Sequence, residues 1–141
     1  DDDPVALDYA CRNAAGTGVE VLSGDVTDPA LLPDLDGAVD LVVANPPYIP
    51  EGAELEPEVA RHDPAHALFG GADGMSVIRP IVRRAAGWLV PGGLLAVEHD
   101  DTTAAATVAE MESGAFTDVT ARRDLTGRPR FVTARRIRGA Q

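Results

Sequence analysis

The run from residue 39 to residue 48, VDLVVANPPY, constrains this chain most, because an almost continuous apolar segment leads directly into an Asn-Pro-Pro-Tyr turn. Apolar, β-branched runs of this kind are typical of strands that are buried on both faces of a parallel sheet. Ligands of such sheets bind beyond the carboxyl ends of the strands. The two prolines fix their own φ angles and hold the preceding residues extended, which makes the turn stiff. We therefore expect Asn45 to face a ligand site from a rigid turn.

Composition indicates one soluble globular domain, since 45% of the 141 residues are hydrophobic and 25% are charged. The net charge of -11 argues against broad binding to nucleic-acid phosphates, which usually needs a basic face. Cys11 is the only cysteine, so an internal disulfide is excluded and a reducing, cytoplasmic location is expected. No apolar stretch approaches the roughly 20 residues that cross a bilayer, so we expect no membrane association.

The spacing of apolar residues predicts alternating helices and strands. Expected helices cover residues 4–15, 75–89 and 102–112, and expected strands cover residues 19–22, 39–44, 94–98, 116–122 and 130–137. Residues 49–73 are rich in proline, glycine and acids, which predicts a long ordered loop with about one helical turn. Long loops in compact domains are usually functional.

This order of elements is that of a doubly wound α/β sheet with a terminal antiparallel pair. In such folds a glycine-rich turn after the first strand holds the cofactor, and an acidic residue about 20 positions later binds its ribose. The chain starts at that acid, Asp1. Gly70-Gly71 and Gly92-Gly93 do not replace the turn, because neither pair lies between a first strand and its helix. We therefore expect a carboxyl-terminal part of a longer domain.

The remaining candidate residues indicate no further site. His62, His66 and His99 are too scattered, beside a single cysteine, to predict a metal site, and loop-surface or capping roles are expected. Met75 and Trp88 stand at helical spacing among apolar residues and are expected in the core.

Several motifs together resemble the HemK/PrmC family, whose members methylate a glutamine side chain in peptide chain release factors. They are Asn45-Pro46-Pro47-Tyr48-Ile49-Pro50, His62-Asp63-Pro64 leading to Ala67-Leu68, Gly70-Gly71-Ala72-Asp73-Gly74 and Asp124-Leu125-Thr126-Gly127-Arg128-Pro129-Arg130. The run Glu98-His99-Asp100-Asp101-Thr102-Thr103 is particularly similar to actinobacterial members. The resemblance covers essentially the whole chain, but the amino-terminal helical substrate domain and the glycine-rich cofactor loop of the family are absent.

The resemblance implies a class I S-adenosylmethionine-dependent methyltransferase sheet, which is Rossmann-like, with S-adenosylhomocysteine as the product. Residues 1–141 would form the carboxyl-terminal portion of a single catalytic domain. Of the sheet order 3-2-1-4-5-7-6, strands 1 and 2 would be missing. The strand of residues 39–44 would then become an exposed apolar edge, and such edges invite self-association.

The resemblance also assigns site residues. Asp1 would bind the adenosyl ribose, Asp25 and Val26 would lie beside the adenine, and Asn45 would stand between cofactor and substrate. The residues that would hold the glutamine are Asn45, Pro46, Pro47 and Tyr48.

The chemistry of an amide explains why such a turn suits the reaction. An amide nitrogen is a poor nucleophile because its lone pair is delocalised, so positioning must supply most of the catalysis. The Asn45 side-chain oxygen and the Pro46 carbonyl can each accept one amide hydrogen and stabilise the positive charge that develops on nitrogen. No separate general base is then required. Tyr48 can pack on the planar amide, and Pro47 fixes the geometry.

Some alternatives stay open at this stage. The same tetrapeptide can orient the exocyclic amine of a flipped adenine, which is the activity of many DNA and RNA methyltransferases. The chain as it stands can also be a silent fragment without a complete cofactor site. Asp25 can simply cap a turn, Asp1 can be a frayed terminus, and Glu98 can either touch the cofactor or be solvated.

Overall fold

The computed structural model describes residues 1–53, 58, 61 and 64–138. Within the loop predicted over residues 49–73, His62 and residues 54–57, 59, 60 and 63 lie outside the described residues. The elements are α1 (Pro4–Ala14), a short 3-10 helix (Pro33–Leu35), β1 (Val39–Ala44), α2 (Ala65–Leu68), α3 (Ile78–Trp88), β2 (Leu89–Glu98), α4 (Ala104–Glu112), β3 (Phe116–Arg123) and β4 (Pro129–Arg136).

The strands form one mixed sheet in the order β1-β2-β4-β3. β1 runs parallel to β2, with Val43 opposite Ala96, and both other pairs of neighbouring strands are antiparallel. This order corresponds to places 4, 5, 7 and 6 of the expected methyltransferase sheet. The predicted architecture is therefore confirmed for the described part of the chain.

Local sequence accounts for where α1 begins. The Asp3 carboxylate accepts hydrogen bonds from the backbone N–H groups of Val5 and Ala6, both at 2.8 Å, and Pro4 occupies the first helical position. The predicted helix over residues 4–15 is thus confirmed to within one residue. No residue of α1 is buried, so its apolar stripe does not join the core.

The predicted strand over residues 19–22 is wrong. The Leu22 carbonyl accepts a bond of 3.4 Å from the Asp1 amino group, and the nearby Gly24 N–H donates one of 3.0 Å to the Asp1 carbonyl. The Val19 N–H donates one of 3.2 Å to the Thr17 hydroxyl. A β-propensity pattern becomes a strand only where a neighbouring strand satisfies its backbone groups. No second strand lies beside this segment in the described residues.

The core lies on one face of the sheet, under α3 and α4. It combines Met75, which precedes α3, with buried residues of both helices and alternate residues of the strands: Ile78, Ile81, Val82, Ala85, Leu89, Leu95, Val97, Met111, Phe116, Val132 and Ala134. Trp88 is also buried, so the expected core roles of Met75 and Trp88 are confirmed.

The prediction that β1 is buried on both faces is wrong. Val42 and Ala44 pack against the core, whereas Leu41 and Val43 project from the opposite face and are 53% and 71% exposed. No described element covers that second face of β1. Among the described residues, no helix is both long and apolar enough to span a bilayer.

Candidate active site

A cavity of about 820 Å³ opens beyond the carboxyl end of β1. Its walls come from the chain start and α1, from residues 24–27, from residues 44–47, and from residues around α2 and α3. Six of the seven residues predicted for the site line it: Asp1, Asp25, Val26, Asn45, Pro46 and Pro47. The seventh, Tyr48, does not line the cavity.

The acidic end of the cavity is held by local hydrogen bonds. The Asp1 carbonyl accepts the Gly24 N–H at 3.0 Å, and the Asp1 carboxylate accepts the Asp3 N–H at 3.0 Å, so the terminal residue has partners rather than fraying. The Asp25 carboxylate accepts the backbone N–H of Thr27 at 2.8 Å and its hydroxyl at 2.7 Å. These bonds lower the pKa of Asp25 and keep it ionised. Asp25 therefore closes a turn and also faces the cavity.

Residues 45–47 of the Asn-Pro-Pro-Tyr turn form another wall of the cavity. Asn45 is exposed where it lines the cavity, and Pro46 behind it is buried. The two residues with the acceptor oxygens expected for a substrate amide thus sit at the cavity edge, on a turn fixed by two prolines. Residues at the carboxyl end of a parallel strand are well placed to meet a ligand.

The glycine motif of residues 70–74 packs directly on this turn. A Cβ atom on Gly74 would approach the Tyr48 carbonyl oxygen to 2.5 Å, and one on Gly70 would approach the Pro47 carbonyl oxygen to 2.7 Å. Backbone bonds of 2.9 Å from Ile49 N–H to Leu68 and from Gly70 N–H to Ile49 join the two segments. Only glycine permits backbones to approach so closely. The motif therefore braces the turn, a role that sequence reasoning missed.

Tyr48 is tied to the end of β2. Its hydroxyl donates a hydrogen bond of 2.7 Å to the carboxylate of Glu98, the last residue of that strand. Partial burial, and then the neighbouring Glu98, raise the pKa of Tyr48, so it remains neutral at physiological pH. Glu98 was expected either to touch the cofactor or to be solvated, and neither expectation anticipates this hydrogen bond.

The histidines occupy different environments. His66 is exposed at the surface, as expected, and lines the cavity, but it lies in α2 and not in a loop. The expectation of a loop-surface or capping role is wrong for His99, which is fully buried, with Nδ1 at 2.7 Å from the Asp100 carbonyl. In the described ranges, His, Cys, Asp and Glu side chains form no group of three or more that would suit a metal ion.

Comparison with curated proteins places the chain beside named methyltransferases. It is 75% identical over 138 residues to the release factor glutamine methyltransferase of Mycolicibacterium smegmatis, a match that covers 97% of the chain and 49% of that protein. It is 66% identical over 137 residues to the protein of the same name from Mycobacterium tuberculosis, covering 96% of the chain and 45% of the relative. The chain therefore spans about half the length of these relatives. No protein-family model matches it.

A relative with a different substrate in its name is also similar. The 4-amino-L-phenylalanine/4-methylamino-L-phenylalanine methyltransferase of Streptomyces pristinaespiralis is 52% identical over 91 residues, which is 64% of the chain and 30% of that protein.

Solved structures support the fold. A predicted O-methyltransferase from Agrobacterium tumefaciens superimposes with a TM-score of 0.64 at 20% identity, over 100% of this chain and 61% of its own. The N-methyltransferase NodS of Bradyrhizobium japonicum, solved with S-adenosyl-L-homocysteine, gives a TM-score of 0.52 at 15% identity, over 98% of this chain and 64% of its own. At such identities the likeness establishes a class I methyltransferase fold and nothing about the reaction.

Proposed function

We propose that this chain belongs to the release factor glutamine methyltransferase family, since it is 75% and 66% identical to two such proteins, of which it covers 49% and 45%. It would form the part of the enzyme that holds the methyl acceptor, a glutamine side-chain amide in a peptide chain release factor. S-adenosylmethionine would be the methyl donor and S-adenosylhomocysteine the product. Residues 1–141 would be the carboxyl-terminal portion of one catalytic domain, acting in the cytoplasm.

The observation that carries this proposal is the convergence of an acidic, partly apolar end and the Asn45–Pro46 turn on one cavity. A carboxylate such as that of Asp1 suits the vicinal hydroxyls of a ribose, and the apolar Val26 beside Asp25 suits the face and edge of an adenine. The donor set of the cavity therefore fits a nucleoside cofactor. When bound, that cofactor supplies an electrophilic methyl group on a sulfonium.

The chain's own residues would then act on the glutamine. The Asn45 side-chain oxygen and the Pro46 carbonyl oxygen would each accept a hydrogen bond from the amide NH2 group of the glutamine, so that the nitrogen lone pair faces the methyl group. The same two oxygens would stabilise the positive charge that grows on nitrogen as the bond forms. Solvent can take the proton afterwards. Pro47 would hold the geometry, and Tyr48 would contribute through the turn that it anchors.

A chimaera tests the proposal. We define it as the Mycolicibacterium smegmatis relative in which the matched 138 residues are replaced by this chain. Incubated with methyl-labelled S-adenosylmethionine, the chimaera should label release factor and should fail to label release factor whose target glutamine is replaced. Label in nucleic acid or in 4-amino-L-phenylalanine instead of release factor would overturn the proposal.

Asn45→Ala provides the site-directed test. We expect it to lower kcat at least about a hundredfold, since it removes an acceptor for the reacting amide, while the Kd for S-adenosylhomocysteine changes less. Asn13→Ala, on the exposed face of α1 and away from the cavity, is the matched control and should keep wild-type kcat.

A further inference from the structure

The motif of residues 124–130 lies outside the cavity and has no role in the reaction as described above. It closes the β3–β4 hairpin through Asp124, whose carboxylate accepts the Thr126 N–H at 2.8 Å, the Thr126 hydroxyl at 2.6 Å and the Arg128 N–H at 3.0 Å. One carboxylate thus fixes the whole turn, so the start of β4 has a defined position.

Arg130 connects this hairpin to the end of β2. Its Nε lies 3.7 Å from the second carboxylate oxygen of Asp124 within the hairpin, and its carbonyl accepts the His99 N–H at 3.0 Å. The next residue along, Phe131, pairs with Glu98 in the sheet. Backbone pairing therefore fixes the register of the hairpin against the end of β2.

The Glu98 carboxylate in turn accepts the Tyr48 hydroxyl at 2.7 Å. Both side chains belong to half-buried residues, where charge-assisted hydrogen bonds are stronger and less screened than at an open surface. Burial, and then Glu98, raise the pKa of Tyr48, whereas the positive charge of Arg130 lowers it.

We propose that the Tyr48–Glu98 hydrogen bond, with Glu98 held in the sheet by the β3–β4 hairpin, forms a positioning relay that sets the turn of residues 45–48 against the cavity; this rests on the proposed function. Tyr48 is the last residue of the turn, so anchoring its hydroxyl on Glu98 fixes the direction in which the Asn45 side chain and the Pro46 carbonyl point. Glu98 is a positioning residue, because it acts through Tyr48 and does not line the cavity.

A split between turnover and cofactor affinity tests the relay in the chimaera. Tyr48→Phe and Glu98→Gln should each lower kcat about tenfold or more, because small misplacements of the acceptor oxygens slow a reaction that depends on orientation. The Kd for S-adenosylhomocysteine, measured by calorimetry, should stay within about twofold of wild type. Glu112→Gln, an exposed carboxylate on α4, is the matched control and should leave kcat unchanged.

A double-mutant cycle separates a relay from two independent effects. If Glu98 acts through Tyr48, the double variant Tyr48→Phe with Glu98→Gln should lose no more kcat than the more damaging single variant. Losses that add, or a Tyr48→Phe enzyme with wild-type kcat, would overturn the relay while leaving the methylation of release factor intact.

A spectroscopic readout keeps the relay testable even if the chimaera has no activity, which would count against the proposed function alone. In the chimaera labelled with [13C]tyrosine, the Tyr48 signal is identified by its loss in Tyr48→Phe. Glu98→Gln should shift its ionisation to lower pH, since a negative neighbour is removed, and Arg130→Met should shift it to higher pH. Titration curves unchanged in both variants would show that the three groups are not coupled and would overturn the relay.

Discussion

A Cβ atom on Gly70 would lie 2.7 Å from the carbonyl oxygen of Pro47, so two backbone segments touch where the turn of residues 45–48 meets the loop after α2. The contact is possible only because position 70 has no side chain. The turn of residues 45–48, which follows β1, is thus supported from behind by a second loop. This support explains why the glycine motif accompanies the Asn-Pro-Pro-Tyr turn in this sequence.

Gly70→Ala should therefore distort the turn of residues 45–48. Inserting a methyl group against fixed backbone should lower the free energy of unfolding of the chimaera by about 1–3 kcal/mol. It should also lower kcat, because the turn must move. Denaturant unfolding followed by circular dichroism measures the first effect, and the methylation assay measures the second. Gly114→Ala is the control, since its nearest atom lies at an ordinary 3.7 Å. Equal stability of both variants would contradict the close contact.

The Tyr48–Glu98 hydrogen bond predicts a loss of stability in alkali. Burial, and then Glu98, raise the pKa of Tyr48 above its usual 10.0, so the folded state retains the proton after the unfolded state has lost it. The stabilisation that protonated Tyr48 gives to the folded state is complete below pH 10 and is lost as pH rises through the higher pKa of the folded state. As pH rises from 9 to 11, the free energy of unfolding should fall less steeply in Tyr48→Phe than in the wild-type chain. Tyr9→Phe leaves this bond intact and should keep the wild-type slope.

The carboxylate that closes the β3–β4 hairpin predicts the opposite dependence in acid. Hydrogen bonds from Thr126, first that of its hydroxyl, lower the pKa of Asp124 from its usual 3.8. The stabilisation is therefore present above pH 3.8 and is lost as pH falls through the lower folded value. Asp124→Asn should flatten the stability profile below pH 4. Asp118→Asn, at an exposed β3 position, should not; a profile equally flat in both variants would contradict a special role for Asp124.

The family resemblance implied the sheet order, and the spacing of apolar residues predicted six of the nine described elements well, because long periodic segments such as residues 78–88 carry their own signal. It failed for residues 19–22, where β-propensity is strong but the structure offers no neighbouring strand. Tertiary context also decided the environment of β1, whose apolar run predicts burial on two faces although one face stays open.

Within the candidate site, the turn of residues 45–47 could be predicted because it follows an apolar strand, whereas Asp25 and Val26 were assigned from the family resemblance. The supporting contacts could not be predicted in either way. Glu98 and Tyr48 are 50 residues apart, and Gly70 meets Pro47 across a loop, so neither pair has a local pattern. The glycine motif was the available signal for the second contact, since adjacent glycines often indicate close backbone approach.

The open edge at β1 predicts self-association of the 141-residue chain. Among the described strands, β1 pairs on one side only, with β2, and Leu41 and Val43 are 53% and 71% exposed beside its other edge. Burying each side chain against a second copy would contribute about 2 kcal/mol, and edge pairing would add hydrogen bonds. Sedimentation velocity over a range of concentrations should show reversible dimers or larger species. A charge at position 43, introduced as Val43→Lys, should shift the population to monomer. Leu125→Lys removes an equally apolar but isolated side chain from a hairpin tip, so it should leave association unchanged. A wild-type chain that stays monomeric at high concentration would show that exposure of this edge is not enough for pairing.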